Sequence, residues 1–248
     1  MWCHLEHRDY RYFSARTGVA ISDSPQEPFT FIAGNWPLNV TVEQKNKHWI
    51  DETIKASQAT WINSKVDYYK YNILGMNFKN GQMARDMALF VDDDGSAYQI
   101  YSSEHNSTLH ISELTDGYLG HKGEYIRVFP NRYMEAPAVF KHDGKYYLNA
   151  STTTGWEPNT ARSAIADNIM GPWKELGDPM IGESNNGYSK TQTFGGQSTY
   201  VLPVQGKKDA YIAMFDKWNP DNAIDGRYIW LPVQFTLNDE FRVPWFDQ

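Results

Sequence analysis

Cysteine is almost absent from this chain of 248 residues, since Cys3 is the only one. A single thiol excludes an intrachain disulfide and a thiolate-rich zinc site. Long apolar runs are missing as well, and none approaches the roughly 18 residues that a membrane-spanning helix needs. Basic residues are fewer than acidic ones, 23 against 30, which gives a net charge of −7. We therefore expect no membrane span and no nucleic-acid partner, because nucleic-acid binders are normally basic.

The start of the chain lacks the basic segment and the apolar core of a signal peptide. Residues 1–6 alternate apolar and polar side chains instead, which is typical of a strand. We expect no signal peptide in this chain. Either the protein begins directly with a strand, or an upstream segment is missing.

Aromatic residues are the abundant class, with 9 Trp, 16 Tyr and 12 Phe making up 15% of the chain. Large aromatic side chains are favoured in strands. Their flat rings also stack on the apolar faces of sugars. The composition therefore suits a β protein and a carbohydrate ligand.

Two Asp-Gly turns between aromatic and β-branched runs predict hairpins. The turns occupy residues 92–95 and 142–144, and their glycines, Gly95 and Gly144, are 49 residues apart. A repeat of about 40–50 residues with four strands is typical of a β-propeller. A sandwich or a barrel is the alternative on pattern alone.

A second recurrence supports the same repeat. Residues 21–29 match residues 165–173 in register, with Ile-small-Asp at the end of one strand and Pro-aromatic at the start of the next. Residues 111–114 occupy the equivalent place in their own unit. We therefore predict an all-β fold of the propeller type, as a single domain over residues 1–248.

Residues 34–83 interrupt this rhythm with a polar, Asn- and Lys-containing insertion, in which 51–59 could form a short helix. A loop of this length in a compact domain is usually functional or disordered. Without it, the chain is long enough for only about four units.

Three polar side chains stand at the start of apolar strands: Asp86, Glu135 and Gln197. The innermost strands of a propeller converge on its axis, so these side chains should meet at one mouth. Two carboxyls there can divide into a proton donor and an ionised partner, as glycoside hydrolysis requires. The alternative is that Asp86 pairs with Arg85 or caps a turn, and that Glu135 is a satisfied buried acid.

Other catalytic and metal-binding patterns are not supported. His4 and His7 would lie on opposite faces of a strand. A calcium loop beginning at Asp92 would require Glu at its twelfth position, where Ser103 stands. Ser198 lacks the Gly-x-Ser-x-Gly frame of a serine hydrolase. We expect neither a metal site nor a cofactor.

The chain resembles glycoside hydrolase family 43 over about residues 1–235, and most of all its exo-β-1,3-galactanase-like branch and the related arabinofuranosidase- and galactosidase-like members. The motifs that carry this resemblance are Arg85-Asp86-Met87, Met134-Glu135-Ala136-Pro137, Thr154-Gly155-Trp156-Glu157-Pro158-Asn159, Gln197-Ser198 and Arg227-Tyr228-Ile229-Trp230. The resemblance implies a five-bladed propeller that hydrolyses O-glycosidic bonds with inversion.

The resemblance also implies a role for each site residue. Glu135 would be the general acid, which needs a raised pKa to hold its proton near neutral pH. Asp86 would tune that acid and orient the sugar. Gln197 would position the attacking water in place of the Asp base that most of the family carries. The residues expected to line the substrate site are Tyr12, Glu104, Thr153 and Trp156.

The chain departs from the family at its start. Members carry about one further blade before the segment equivalent to residues 1–4, with a Glu-Arg-Pro element whose Glu contacts the terminal sugar. We therefore expect about four blades here, with the N-terminal blade missing. The expected function is exo-acting hydrolysis of a plant-type polysaccharide or of arabinogalactan side chains, by a secreted or periplasmic protein. The alternatives are an α-L-arabinofuranosidase-like hydrolase and an inactive carbohydrate-binding propeller.

Overall fold

The computed structural model describes residues 1–6, 15–26, 28–35 and 82–247. Most of the predicted insertion and its helix at 51–59, together with Tyr12, lie outside these residues. The described chain is all-β, with seventeen strands and two short 3₁₀ helices, Lys190–Gly195 and Ala223–Asp225. No helix in the described ranges is long and apolar enough to cross a membrane. The chain divides into two compact units, Met1–Arg132 and Tyr133–Gln248.

The first unit contains two antiparallel sheets whose strands follow one another in chain order. The three-stranded sheet consists of β1 (Trp2–Leu5), β2 (Arg16–Ile21) and β3 (Thr30–Asn35). The four-stranded sheet consists of β4 (Met87–Val91), β5 (Ala97–Ser103), β6 (Thr108–Leu114) and β7 (His121–Val128). The strand predicted at the start of the chain is thus confirmed.

A buried amide joins the two sheets of the first unit. Gln99 Nε2 donates to Thr17 Oγ1 at 2.8 Å, and Gln99 Oε1 lies 2.8 Å from His121 Nε2. Burial lowers the pKa of His121 to about 4, so its ring is neutral near pH 7 and donates this hydrogen bond. The hydrogen bond between Gln99 and Thr17 therefore gives a buried polar group of each sheet a partner on the other sheet.

The second unit contains three sheets. The first has the order β11-β10-β9-β8, with β8 (Met134–His142), β9 (Lys145–Thr152), β10 (Arg162–Ala166) and β11 (Lys174–Gly177). The second comprises β13 (Gln197–Pro203), β14 (Tyr211–Lys217) and β15 (Arg227–Pro232). The third places β17 (Phe241–Pro244) between β12 (Met180–Ile181) and β16 (Gln234–Phe235), and β12 pairs with it in parallel.

The predicted repeat is confirmed in the two four-stranded sheets. Their first hairpins, β4–β5 and β8–β9, turn at Gly95 and Gly144, and both glycines adopt a positive φ, of 86° and 75°. The recurrence at residues 21–29 and 165–173 joins β2 to β3 and β10 to β11. The other three sheets have three described strands each, so the number of complete four-stranded units stays a prediction.

An aromatic cluster forms the core of the second unit. Phe140 stacks on Tyr147 with ring centroids 5.3 Å apart and meets Phe241 edge-on at the same distance. Phe215 from β14 and Phe194 from the first 3₁₀ helix complete this core, exposed by 1% and 0%. Large rings that alternate along the strands thus hold the sheets of this unit together.

A buried charge cluster holds β5, β6 and β7 of the first unit. Arg127 donates from Nε and Nη2 to the two carboxylate oxygens of Glu104, at 2.5 and 2.6 Å. His110 Nε2 and Thr108 Oγ1 approach the same carboxylate at 2.8 and 2.9 Å. Burial alone would raise the pKa of Glu104, but the hydrogen bonds from His110 and Arg127 lower it to about 2. Glu104 is therefore ionised inside the protein and holds three neighbours in place.

The charge cluster predicts how stability depends on pH. A carboxyl with a lowered pKa in the folded state stabilises the fold above its ordinary pKa, and this contribution is lost as the pH falls from about 4.5 to about 2. We expect Glu104→Gln to lower the free energy of unfolding at pH 7 by about 3–5 kcal/mol, because the Arg127 charge loses its buried partner. Urea unfolding from pH 7 to pH 2 measures this loss, which should shrink over the acidic interval.

The matched control is Asp116→Asn, since the side chain of Asp116 is 94% exposed. This variant should leave the free energy of unfolding nearly unchanged. A Glu104→Gln protein as stable as the Asp116→Asn protein at pH 7 would contradict the structural role of Glu104.

Candidate active site

A β-bulge positions Glu135 at the start of β8. Glu135 pairs with Ser151 of β9, but the next registered pair is Ala138 with Asn149, so β8 contains one extra residue here. Pro137 has no N–H for the ladder, and Ala136 has a φ of 51°. The Glu-Ala-Pro sequence is thus the bulge itself, and bulges commonly re-aim a side chain beside an active site.

Gln197 begins β13 in the same way. Gln197 pairs with Asp216 and Ser198 with Phe215, but the following pair is Tyr200 with Met214, so this strand also has one extra residue. The bulges of β8 and β13 touch, because Ser198 Oγ donates to the carbonyl of Ala136 at 2.6 Å. Two neighbouring bulges therefore bring Glu135 and Gln197 together.

Two glycines allow the close approach of chain segments just before Gln197. A Cβ on Gly195 would lie 2.6 Å from the Tyr188 ring, and the φ of Gly195 is 87°. A Cβ on Gly196 would lie 2.8 Å from Phe215 Cβ. Any larger residue at either position would displace the start of β13.

Three hydrogen bonds hold the amide of Gln197. Its Nε2 donates to Glu135 Oε1 at 3.2 Å and to Ser151 Oγ at 3.0 Å, and its Oε1 accepts from Trp218 Nε1 at 2.8 Å. An indole N–H can only donate, so the oxygen of the amide must face Trp218. The nitrogen therefore faces Glu135, of whose surface only 7% is exposed.

A cavity of about 190 Å³ opens beside this amide. Its lining consists of Ser151, residues 155–159, Tyr188, residues 195–197, residues 217–218 and Pro220. Two indoles meet on its wall, with the rings of Trp156 and Trp218 edge-to-face at 5.3 Å. Exposed aromatic rings beside polar groups are the usual lining of a sugar site.

The Thr-Gly-Trp-x-Pro-Asn sequence is a loop closed by Asn159. The side-chain oxygen of Asn159 accepts from Thr152 N at 2.9 Å, and its nitrogen donates to Thr152 O at 2.9 Å and to Thr154 Oγ1 at 2.6 Å. Gly155 turns this loop with a φ of 65°. Trp156 is 60% exposed at its tip, so it lies outside the core and against the cavity.

The other predicted site residues are placed as follows. Asp86 directly precedes β4 in the first unit and is half-buried, and Thr153 directly follows β9 in the second. Glu104 is 3% exposed, and its carboxylate is engaged by Arg127, His110 and Thr108. The structure thus brings Glu135, Gln197 and Trp156 to one region of the second unit. Substrate contacts of Asp86, Glu104, Thr153 and Tyr12 stay predictions.

One group in the described residues has the side chains of a metal site, namely His142, Asp143 and Asp209. Asp143 lies 3.6 Å from Nε2 of His142, whereas Asp209 lies 3.8 Å from Nδ1. The carboxylates thus approach opposite sides of the ring, which also stacks on Phe235 at 3.6 Å. His142 ends β8, the strand that Glu135 begins, so this group lies far from the cavity.

Sequence reasoning missed Trp218 and Ser151. Ser151 lies opposite Glu135 across the β8–β9 pair, a relation that only the register reveals. A pattern in the sequence could have indicated Trp218. Trp218-Asn219-Pro220 follows β14, just as Trp156-Glu157-Pro158 follows β9. The two Trp-x-Pro segments begin with the two indoles that meet at the cavity.

Comparison with solved structures finds close matches. A β-1,3-galactosidase of family 43, solved with galactodeoxynojirimycin, is 43% identical with a TM-score of 0.81, over all of this chain and 71% of that one. An exo-β-1,3-galactanase from Clostridium thermocellum is 28% identical with a TM-score of 0.75, over 99% of this chain and 45% of that one.

A curated relative and a family profile also match. The relative is a β-D-galactofuranosidase from Aspergillus niger, 28% identical over 143 residues, and the aligned region is 53% of this chain. That region is only 41% of the relative's length, so the chain spans less than half of it. The profile of the glycosyl hydrolases family 43 matches residues 29–228, most of the sequence. The chain belongs to glycoside hydrolase family 43.

Proposed function

We propose that this protein is an exo-acting glycosidase that releases galactose from β-1,3-linked galactan with inversion. The observation that carries the proposal is the contact between Glu135 and Gln197 beside a cavity walled by two indoles. The similarity to a β-1,3-galactosidase over the whole chain supports galactose as the sugar.

Glu135 is the general acid in this proposal. Its carboxyl gives a proton to the glycosidic oxygen as the bond to the anomeric carbon breaks. Water adds to that carbon from the opposite face and releases a proton, which restores Glu135 through solvent after the product leaves. The site therefore needs one proton donor and one group that orients water.

Gln197 orients this water. Trp218 occupies one lone pair of Oε1, and among the described residues the second lone pair is left to accept from a water. A water on the far face of the sugar needs several ångströms between acid and water-holding group. We expect the sugar to displace the 3.2 Å contact between Gln197 and Glu135, while Ser151 keeps its hold on the amide.

The remaining expected features belong to the same proposal. Asp86 tunes Glu135 and orients the sugar, Trp156 stacks on a pyranose face, and Tyr12, Thr153 and Glu104 complete the substrate site. A single propeller domain over residues 1–248 belongs to the same proposal. Four or five blades, a secreted or periplasmic location and an arabinogalactan-type substrate are what the family suggests.

Furanoside hydrolysis is the second candidate, because the curated relative is a galactofuranosidase. A panel of 4-nitrophenyl β-D-galactopyranoside, β-D-galactofuranoside and α-L-arabinofuranoside, with β-1,3-galactan, separates the candidates. The proposal expects activity on the galactopyranoside and the galactan. Activity on the furanosides alone would favour the second candidate, and binding of galactan without hydrolysis would favour an inactive carbohydrate-binding protein.

Glu135→Gln tests the general acid. We expect kcat on β-1,3-galactan to fall by about 10²–10⁴-fold, because the proton donor is lost while the shape is kept. Activated aryl galactosides should lose less, since their leaving groups need less protonation. Glu183→Gln, the same change at an exposed residue of the same unit, is the control. Equal losses on both kinds of substrate would exclude Glu135 as the acid.

Trp218→Phe tests the orientation of Gln197. The ring is retained but the donor to Oε1 is lost, so we expect kcat to fall about tenfold, the equivalent of one hydrogen bond. KM should change little, because the aromatic wall stays. Trp156→Phe is the matched control, since it makes the same change in the neighbouring indole. If the two variants have the same kcat, the hydrogen bond to Gln197 has no role in catalysis.

A further inference from the structure

A lysine side chain lines the cavity. Lys217 is the last residue of β14, is half-buried and lines the cavity beside Trp218. Its Nζ lies 4.9 Å from the centre of the Tyr188 ring. No carboxylate in the described part of the chain pairs with this ammonium.

The neighbouring charges do not explain Lys217. Asp216 precedes it on the strand, so its side chain points to the opposite face. Burial raises the pKa of the Asp216 carboxyl. Arg227 lies directly across the β14–β15 pair and has the same sign, which is unfavourable for the two strands. Arg227 is paired with Asp225, whereas no carboxylate of the described residues pairs with Lys217.

We propose that the cavity accepts an anionic sugar whose charged group meets the Lys217 ammonium. The inference rests on the proposed function, because it takes the cavity beside Gln197 as the sugar site. The Lys217 ammonium lies over the Tyr188 ring, and both residues line the cavity together with Trp218 and Gln197. A carboxylate of a uronic acid and a sulfate ester share the chemistry that an ammonium recognises.

Glu157 limits where the anion can lie. It is the acidic member of the lining, is exposed, and stands on the loop that Asn159 closes. Because both residues line the cavity, an anionic sugar there meets the Glu157 carboxylate as well as the Lys217 ammonium. Removing the charge of Glu157 should therefore strengthen binding of anionic sugars more than binding of neutral ones.

Calorimetric titration with galactose, galacturonic acid and galactose 6-sulfate tests the inference. We expect at least one anionic sugar to bind about tenfold more tightly than galactose, the equivalent of one hydrogen bond to a charged group. Galacturonic acid and galactose 6-sulfate are titrated separately, so the tighter of the two shows whether the site prefers a carboxylate or a sulfate. The preference should weaken as salt is added.

Variants assign the preference to one residue. Lys217→Met keeps an unbranched stem but removes the ammonium, and should reduce the affinity for the anionic sugars to that for galactose. Lys217→Arg should retain the preference and Glu157→Gln should increase it. Lys208→Met, at a side chain that is 88% exposed, is the control and should change nothing.

Either of two results would overturn the inference: equal or undetectable binding of all three sugars by the unchanged protein, or a preference that survives Lys217→Met. Its failure is distinct from that of the proposed function, which the hydrolysis panel tests. Hydrolysis of neutral galactan without an anion preference would remove the inference alone. An anion preference without any hydrolysis would remove the proposed function and leave the binding site.

Discussion

The hydrogen bond from the Trp218 indole to the Gln197 amide is the contact on which the arrangement of the site depends. It is the only one of the three bonds to this amide, among the described residues, whose direction chemistry fixes without ambiguity. Reversing the amide would set a donor against a donor at 2.8 Å. Because the oxygen is held by Trp218, the nitrogen reaches Glu135 and Ser151. The acid, the water-positioning amide and the aromatic wall are thus one connected group.

The backbone also positions the side chains of the site. Two bulges, one after Glu135 and one after Gln197, place the side chains of neighbouring strands face to face, and Ser198 ties the bulges together. In the first unit, Arg127 and His110 hydrogen-bond to the carboxylate of Glu104. The fold therefore uses one buried glutamate to hold strands and keeps another, Glu135, beside a cavity. Their surroundings, not their residue type, separate a structural role from a proposed catalytic one.

Much of the fold could be predicted from local patterns. The Asp-Gly hairpins, the Ile-x-Asp recurrence and the strand at residues 2–5 depend on neighbouring residues and are observed. Glu135 and Gln197 could be singled out because each begins an apolar strand. Ser151 and Trp218 could not, since their roles follow from strand register and from a loop that returns to the site. The contact of Arg127 with Glu104 could not be predicted either, since it follows from the pairing of β6 with β7, and the sugar contact that the resemblance implies for Glu104 stays a prediction.

The anomeric form of the first product tests the central proposal most directly. If Glu135 protonates the leaving oxygen while water held by Gln197 attacks in one step, the configuration at the anomeric carbon inverts. Proton NMR during the first minutes of β-1,3-galactan hydrolysis, before mutarotation, should then show α-galactose. Initial release of β-galactose would mean two successive displacements and a carboxylate nucleophile, which would contradict the role given to Gln197.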